Sequence, residues 1–332
     1  VGNRNNSKML HLTQKLNPKI GQADIELVPS RNGFGEGLLH LGQHNKDVVA
    51  LTGDLAESTR ILDFAKKYPE RFVECGVAEQ NMMGVAAGLA LAGKTPFVAS
   101  YATFSPGRSW DQLRVSVAYS QANVKVAGHH TGLSVGPDGA THQALEDIAI
   151  VRTLPKMTVV VPCDAIEARK TTIALGTTAG PAYFRLGREK TPVMTTDESP
   201  FTIGKASVMK EGSDVAIIGS GPILYNGLMA AMELEKLGIN VLVINNHTIK
   251  PIDVETIVWA AKLTLEEHQV MGGAGSAVAE VLAQNFPVPI EMIGMQDSFG
   301  ESGEPVQLMK KFRMDTESIK AAIKKVLTRK AN

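Results

Sequence analysis

The stretch RFVECGVAEQNMMGVAAGLALAGKTPFVASYATF, Arg71 to Phe104, places a carboxylate, Glu79, at the mouth of a run of small residues. A Val-rich segment closing on Thr103-Phe104 follows. A helix that only fills a core has no use for Glu-Gln-Asn at its start, because a buried charge is costly unless it is paired. A site that must offer a carboxyl group to a ring nitrogen does have that use.

A second stretch, SVGPDGATHQALED (134–147), sets Asp138 and His142 four positions apart on a loop of Gly136, Pro137 and Gly139. Just upstream, AGHHTG adds His129 and His130 at the end of a buried-strand pattern. Ligands of open α/β sheets collect outside the carboxyl ends of the strands. Two titratable side chains on such a loop suit a polyol and the transfer of a proton. The alternative is a surface loop whose Asp caps the next helix. Arg31, Ser58, His130 and Arg188 are scattered, each near the edge of a strand or helix. Singly, each is an ordinary solvated group; brought together they would clamp a phosphate, since guanidinium forks and hydroxyls suit its oxygens.

Two further stretches read as structural. AIIGSGP (216–222) is a glycine loop between a strand and a helix, but it has no third glycine where a dinucleotide fingerprint needs one. The next strand ends in Asn245-Asn246 rather than an acid, so a tight turn is the better reading. LTLEEHQVMGGAGSAVAE (263–280) holds acids, His268 and a glycine run at poor metal-ligand spacing. It reads as a strand, a turn and a closely packed helix.

The elements that must position these residues alternate. DVVALTGD (47–54), TPFVAS (95–100), NVKVAGHH (123–130) and MTVVVPCD (157–164) are short Val-rich strands without clean alternation. That is the pattern of strands covered on both faces of a parallel sheet. Helical patterns lie between them at 31–44, 78–93, 110–122 and 164–178. A Pro/Thr/Asp-rich linker at 187–206 breaks the rhythm, and the alternation then resumes to the end. The class is therefore α/β, with two doubly wound domains: an N-terminal extension over 1–24, a first domain over 25–195 and a second over 196–332. One helical pattern runs into LTLEEH at Lys262/Leu263 with almost no loop, which reads as residues lacking at that junction.

Composition narrows the function. Lys+Arg and Asp+Glu balance at 34 each, so no net field draws the chain to nucleic acid or to a membrane surface. Cys75 and Cys163 are too few for a disulfide framework and lack metal-ligand spacing, which fits a reducing, cytoplasmic setting. The opening residues carry no apolar signal segment, and the Met82–Gly93 run is too short to span a bilayer.

The motifs ECGVAEQNMMGVAAGLALAGKTPFVASYATF and GLSVGPDGATHQALEDIAIVRTLPKMTVVVPCDA resemble the thiamine diphosphate-dependent transketolases, in their pyrimidine-binding and C-terminal domains. The resemblance runs from about Ile25 to Leu327, and the diphosphate-binding domain of that family, with its GDG and downstream Asn, is not in the sequence. It therefore implies the C-terminal subunit of a split transketolase, paired with a separate N-terminal, diphosphate-binding subunit in an α2β2 heterotetramer. It also implies thiamine diphosphate, with Mg2+ (or Ca2+) held mainly by the partner, and sugar phosphates as substrates. No metal ligand is implied on this chain.

By that resemblance Glu79 contacts N1′ of the aminopyrimidine and favours the imino tautomer, and Phe104 stacks on the ring. Asp138 and His142 meet the substrate hydroxyls, while Arg31, Ser58, His130 and Arg188 grip the sugar phosphate. Asp54 falls near the cofactor. Gly107 stands where one pocket aromatic would be, and Trp110 is the candidate to replace another. The implied activity is transfer of a two-carbon glycolaldehyde unit from a ketose phosphate to an aldose phosphate. Deoxyxylulose phosphate synthases share parts of this pattern but usually have Asp-Arg at the place of His130-Thr131. The β subunit of a 2-oxo acid dehydrogenase E1 has the right size but typically lacks the PDGATHQ loop. A non-catalytic nucleotide-binding or regulatory module is the reading from outside that superfamily.

Overall fold

In the computed structural model, which describes residues 12–13, 15–260 and 263–331, the chain builds two main sheets. The Lys262/Leu263 junction falls at residues outside the described ones on its N-terminal side. The first part of the chain runs β1 (Leu12–Thr13), β2 (Leu27–Pro29), α1 (Ser30–His44), β3 (Val48–Thr52), α2 (Leu62–Lys67), β4 (Phe72–Glu74), α3 (Glu79–Leu91) and β5 (Thr95–Tyr101). It continues through α4 (Trp110–Gln112), β6 (Lys125–His129), α5 (Asp147–Arg152), β7 (Thr158–Val160), α6 (Ala165–Thr177), β8 (Ala182–Arg185) and β9 (Lys190–Pro192). The second part comprises β10 (Ser207–Lys210), β11 (Val215–Gly219), α7 (Leu224–Glu235), β12 (Val241–Asn245), β13 (Thr248–Lys250) and α8 (Val254–Ala260). It closes with β14 (Leu263–Gln269), α9 (Ala274–Asn285), β15 (Glu291–Met295), α10 (Pro305–Lys311) and α11 (Thr316–Ala331).

The first sheet has the order β13-β7-β8-β6-β5-β3-β4 and is parallel except where β13 joins β7. The second has the order β1-β10-β12-β11-β14-β15, with one antiparallel junction between β10 and β12. The expected α/β class is the one observed. Along β3, Val49 and Leu51 enter a core layer with α3, while Val48 and Ala50 enter the opposite layer with α1 and α6. Burial of both faces is why these strands read as continuous apolar runs rather than alternating ones.

Four local expectations change. The helix expected over 110–122 begins as α4 but winds as a π-helix through Leu113–Tyr119. The alternation after the linker does not stay in one sheet: β12 pairs within the second, while β13 crosses to pair antiparallel with β7, Thr248 opposite Val160. The 187–206 segment is not wholly a linker, because β9 pairs with β2, Leu27 opposite Pro192. Finally, α2, β4 and β8 lacked the length or pattern to be read from sequence.

Two contacts, one at each end of α1, fix where the helix stands against α6. A Cβ on Gly33 would lie 1.8 Å from the Ala165 carbonyl oxygen, and one on Gly176 would lie 2.4 Å from Leu41 Cδ1. Only glycine allows α1 and α6 to approach this closely. Asp164 then caps α6, accepting from Glu167 N at 2.8 Å, and ties down the chain beyond β9 through Met194 N, Thr195 N and Thr195 Oγ1. Burial, then the neighbouring Glu167, raises the Asp164 pKa, while these hydrogen bonds oppose the shift.

Among the described residues no helix is long and apolar enough to cross a membrane. Asp164→Ala removes a cap and leaves buried N–H groups unpaired, and is expected to cost about 2–4 kcal/mol. Urea unfolding measures this loss. A change below about 0.5 kcal/mol would show that the Asp164 tether does not hold the segment.

Candidate active site

Strand polarity assembles the site. β3, β5, β6 and β8 are mutually parallel and neighbouring, so the residues after each one emerge at a single edge. Ser58 follows β3, Phe104 follows β5, His130 follows β6 and Arg188 follows β8. Arg31 opens α1 at the same edge, with its Nη1 donating to the Ser58 carbonyl at 3.0 Å and contacting His130 Nε2 at 3.1 Å. Ser58 Oγ lies 2.8 Å from Tyr101 Oη and 3.4 Å from His130 Nε2.

Aromatic rings join this corner to the loop residues. Tyr101 stacks on His130 with centroids 4.0 Å apart and on Phe104 at 5.8 Å. His142 meets Phe104 edge-on at 5.4 Å, and its Nδ1 lies 2.9 Å from Thr141 Oγ1. Arg188 reaches Asp138 Oδ1 at 3.1 Å and the Val135 carbonyl at 3.0 Å. Arg31, Ser58, His130, Phe104 and His142 thus form one connected cluster, with Arg188 and Asp138 paired on the loop beside it.

The cluster's charge state follows from its surroundings. Burial first, then Arg31, Arg188 and His142, holds the His130 pKa down at about 3. A neutral His130 facing the Arg31 donor must accept through Nε2, which leaves Nδ1 as an N–H with no partner among the described residues. Arg31 is itself lowered, by burial first and then by Arg60 and Arg188. His129, one residue back, points into the core edge-on to Phe34 at 5.0 Å, and burial keeps it neutral.

Glu79 is the first residue of α3 and is 2% exposed. Its Oε2 accepts from Arg108 Nη1 at 2.8 Å, and the same guanidinium lies 4.7 Å over the Phe104 ring. Arg108 therefore links Glu79 to the aromatic cluster. Asp54 sits at φ 60° with its N–H on Glu74 Oε1 and lines a cleft with Arg31 and Ser58. Trp110 does not join the rings: its indole N–H donates to the Ile150 carbonyl and the ring rests on the core.

The loop carrying Asp138 is propped from the second domain. Glu267 Oε2 accepts from Ser134 N and Oγ at 3.0 and 2.7 Å, and Gln143 Nε2 donates to the Glu301 carbonyl at 2.9 Å. Glu266 caps α9 through Ala274 N and Gly275 N, with burial raising its pKa to about 7. These contacts tie the loop and α9 to β14. Gly221 N donates to the Val161 carbonyl, so the AIIGSGP loop makes a packed turn between the sheets. Among the described residues no cluster of His, Cys, Asp or Glu could hold a metal ion.

Sequence reasoning did not single out Tyr101 or Arg108. Tyr101 reads as the end of a strand, and Arg108 follows Gly107 in SPGRSW with no spacing signal; their hydrogen-bond partners, Ser58 and Glu79, are remote in sequence.

Residues 27–194 match the family model "Transketolase, pyrimidine binding domain", and residues 204–319 match "Transketolase, C-terminal domain". The chain is 41% identical over 299 residues to one subunit of an apulose-4-phosphate transketolase of Phocaeicola vulgatus, covering 88% of this chain and 96% of that protein. It is 39% identical over 305 residues to a 6-deoxy-6-sulfo-D-fructose transketolase subunit of Clostridium sp., covering 90% and 95%. A solved split-gene transketolase, described as an inactive beta4 tetramer, superposes with TM-score 0.86 at 43% identity, covering 91% of this chain and 99% of that one.

The neutrality of His130 has a measurable consequence. An unfolded His titrates near 6.5, so below that pH the unfolded chain binds a proton that the folded chain refuses until about pH 3. Stability is full above about pH 6.5 and falls through the acid range by up to ~1.4 kcal/mol per pH unit. Between pH 7 and 5, wild type should lose about 2 kcal/mol more than His130→Gln in urea unfolding. Equal losses would mean that His130 protonates freely in the fold.

Proposed function

The chain belongs to the transketolase family, and from that premise we propose that it is one subunit of a two-chain, thiamine diphosphate-dependent transketolase. The assembly moves a two-carbon glycolaldehyde unit from a ketose phosphate to an aldose phosphate. Its partner is a separate subunit carrying the diphosphate-binding domain and most of the Mg2+ (or Ca2+) site, in an α2β2 cytoplasmic enzyme. The observation that carries this reading is the joining of two half-sites on one sheet edge: Glu79 with Phe104, and Arg31 with Ser58 and His130.

The residues present suit the pyrimidine end of the cofactor. Glu79 is a buried carboxylate whose one side-chain partner among the described residues is Arg108, and Phe104 offers a ring face beside it. Arg108 covers both, and being half exposed it can swing into solvent when a flat heterocycle takes its place. Bound thiamine diphosphate supplies the carbon nucleophile of the transfer.

The chain's own residues do the rest. Glu79 accepts a hydrogen bond from the aminopyrimidine ring and fixes its protonation, and Phe104 stacks against it. Asp138 and His142 hold the substrate hydroxyls, with His142 placed against Phe104 to give or take a proton. Arg31, Ser58, His130 and Arg188 fix the terminal anion. Two relatives are named for a sugar phosphate and a sugar sulfonate, so a terminal oxyanion rather than one sugar is what their names share. That supports an anion-gripping corner here.

The test is a coupled assay with xylulose 5-phosphate, ribose 5-phosphate, thiamine diphosphate and Mg2+. It compares the chain alone with the chain plus the diphosphate-binding chain of the same organism. Activity is expected in the mixture alone; silence in a verified complex overturns the reading and favours another donor or an E1-like reaction. In the mixture Glu79→Gln should lower turnover about 100-fold or more while unfolding free energy moves by under ~1 kcal/mol. Comparable losses in both would make Glu79 structural.

A further inference from the structure

A second arginine faces the same cleft. Arg60 lines an opening of about 640 Å3 together with Arg31, Ser58, Asp54, Glu57 and Glu74. Its backbone sits at φ 63°, a left-handed conformation that a large side chain rarely adopts and that persists when surrounding structure demands it. Gly35 makes room for it: a Cβ there would stand 2.8 Å from the Arg60 carbonyl oxygen and 2.9 Å from its Cβ. Arg60 Nε donates to Asn32 Oδ1 at 3.0 Å, which anchors the guanidinium beside the first turn of α1.

The cleft holds acids as well as arginines, Asp54, Glu57 and Glu74, but none of them is hydrogen-bonded to Arg31 or Arg60 among the described residues. Arg188 is paired with Asp138, and Glu74 already accepts from Asp54 N and Gly76 N. The partners of Arg31 and Arg60 among the described residues are a carbonyl, an imidazole and an amide, none of them a carboxylate. Arg60 depresses the Arg31 pKa, second only to burial, so the two cations feel one another. Two neighbouring guanidiniums, neither hydrogen-bonded to a carboxylate, repel one another and attract an oxyanion placed between them.

We propose that Arg60 is a specificity-determining residue for the terminal oxyanion of the substrate, a phosphate monoester or a sulfonate, closing on the oxygens that Arg31, Ser58 and His130 leave facing outward. That the anion belongs to a sugar rests on the functional reading above; the binding of the anion does not.

The residues concerned all lie on this chain, so the chain itself can be titrated with ribose 5-phosphate, inorganic phosphate and a sugar sulfonate, with ribose as the control. Arg60→Gly suits the left-handed backbone and is expected to fold, which its melting temperature checks. It should weaken both phosphates about tenfold, the factor that 1.4 kcal/mol represents, with Arg60→Lys recovering part of the loss. The oxyanion whose affinity depends more on Arg60 is the one the cleft is built to take. In the assembled enzyme, KM for a phosphorylated ketose should rise by a similar factor with kcat retained, and kinetics with an unphosphorylated ketose should not move. Unchanged phosphate affinity in Arg60→Gly, or no phosphate binding by the wild type, overturns the proposal. An inactive complex in which phosphate still depends on Arg60 overturns the functional reading instead.

Discussion

Parallel pairing is the constraint on which this molecule depends. Because β3, β5, β6 and β8 run the same way and lie side by side, the chain after each of them must emerge at one edge. Residues as far apart in sequence as Ser58 and Arg188 reach one edge of the sheet for that reason. Helix α1 then has to bring Arg31 to the same edge, and its glycine-mediated approach to α6 leaves it little freedom to do otherwise. The chemistry sits on loops, but the loops are aimed by two rigid layers packed on both faces of the sheet.

The edge so formed is electrostatically one-sided in places. Arg31, Arg60 and Arg188 gather there, and a charged His130 among them would be strongly disfavoured; burial and these cations keep it neutral. Neutrality gives His130 two different nitrogens, one accepting from Arg31 and one buried without a partner among the described residues. On the far side of Phe104 the balance is reversed, since Glu79 is the buried carboxylate and Arg108 its half-exposed partner. A corner suited to an anion and a carboxylate suited to a ring nitrogen are therefore separated by little more than an aromatic ring and an imidazole.

Much of this was legible in the sequence, and the failures have physical causes. Strands buried on both faces announce themselves as Val-rich runs, so β3, β5 and β6 were found, whereas β4 and β8 are too short to give a pattern. Glu79 stood out because a carboxylate opening a small-residue helix contradicts simple core packing. Tyr101, Arg108 and Arg60 did not, because their hydrogen-bond partners Ser58, Glu79 and Asn32 lie far away in sequence and only the fold brings them close. Trp110 went the other way: chemically plausible as a pocket aromatic, it is bonded to Ile150 instead. Strand β13 was hidden inside a longer apolar run, since no local property distinguishes a strand that stays in its sheet from one that leaves it.

That departure has a consequence for modularity. By lending β13 to the first sheet, the second domain covers the outer edge of β7, and Lys250 seals the join on the Arg152 and Leu154 carbonyls. A first domain cut free at its C-terminal boundary would present bare β7 amides and carbonyls, the kind of edge that recruits another chain. The second would carry an orphaned strand. The two family domains are thus not interchangeable cassettes: recombination, truncation or separate expression would have to respect a seam that lies near residue 250, well inside the second of them.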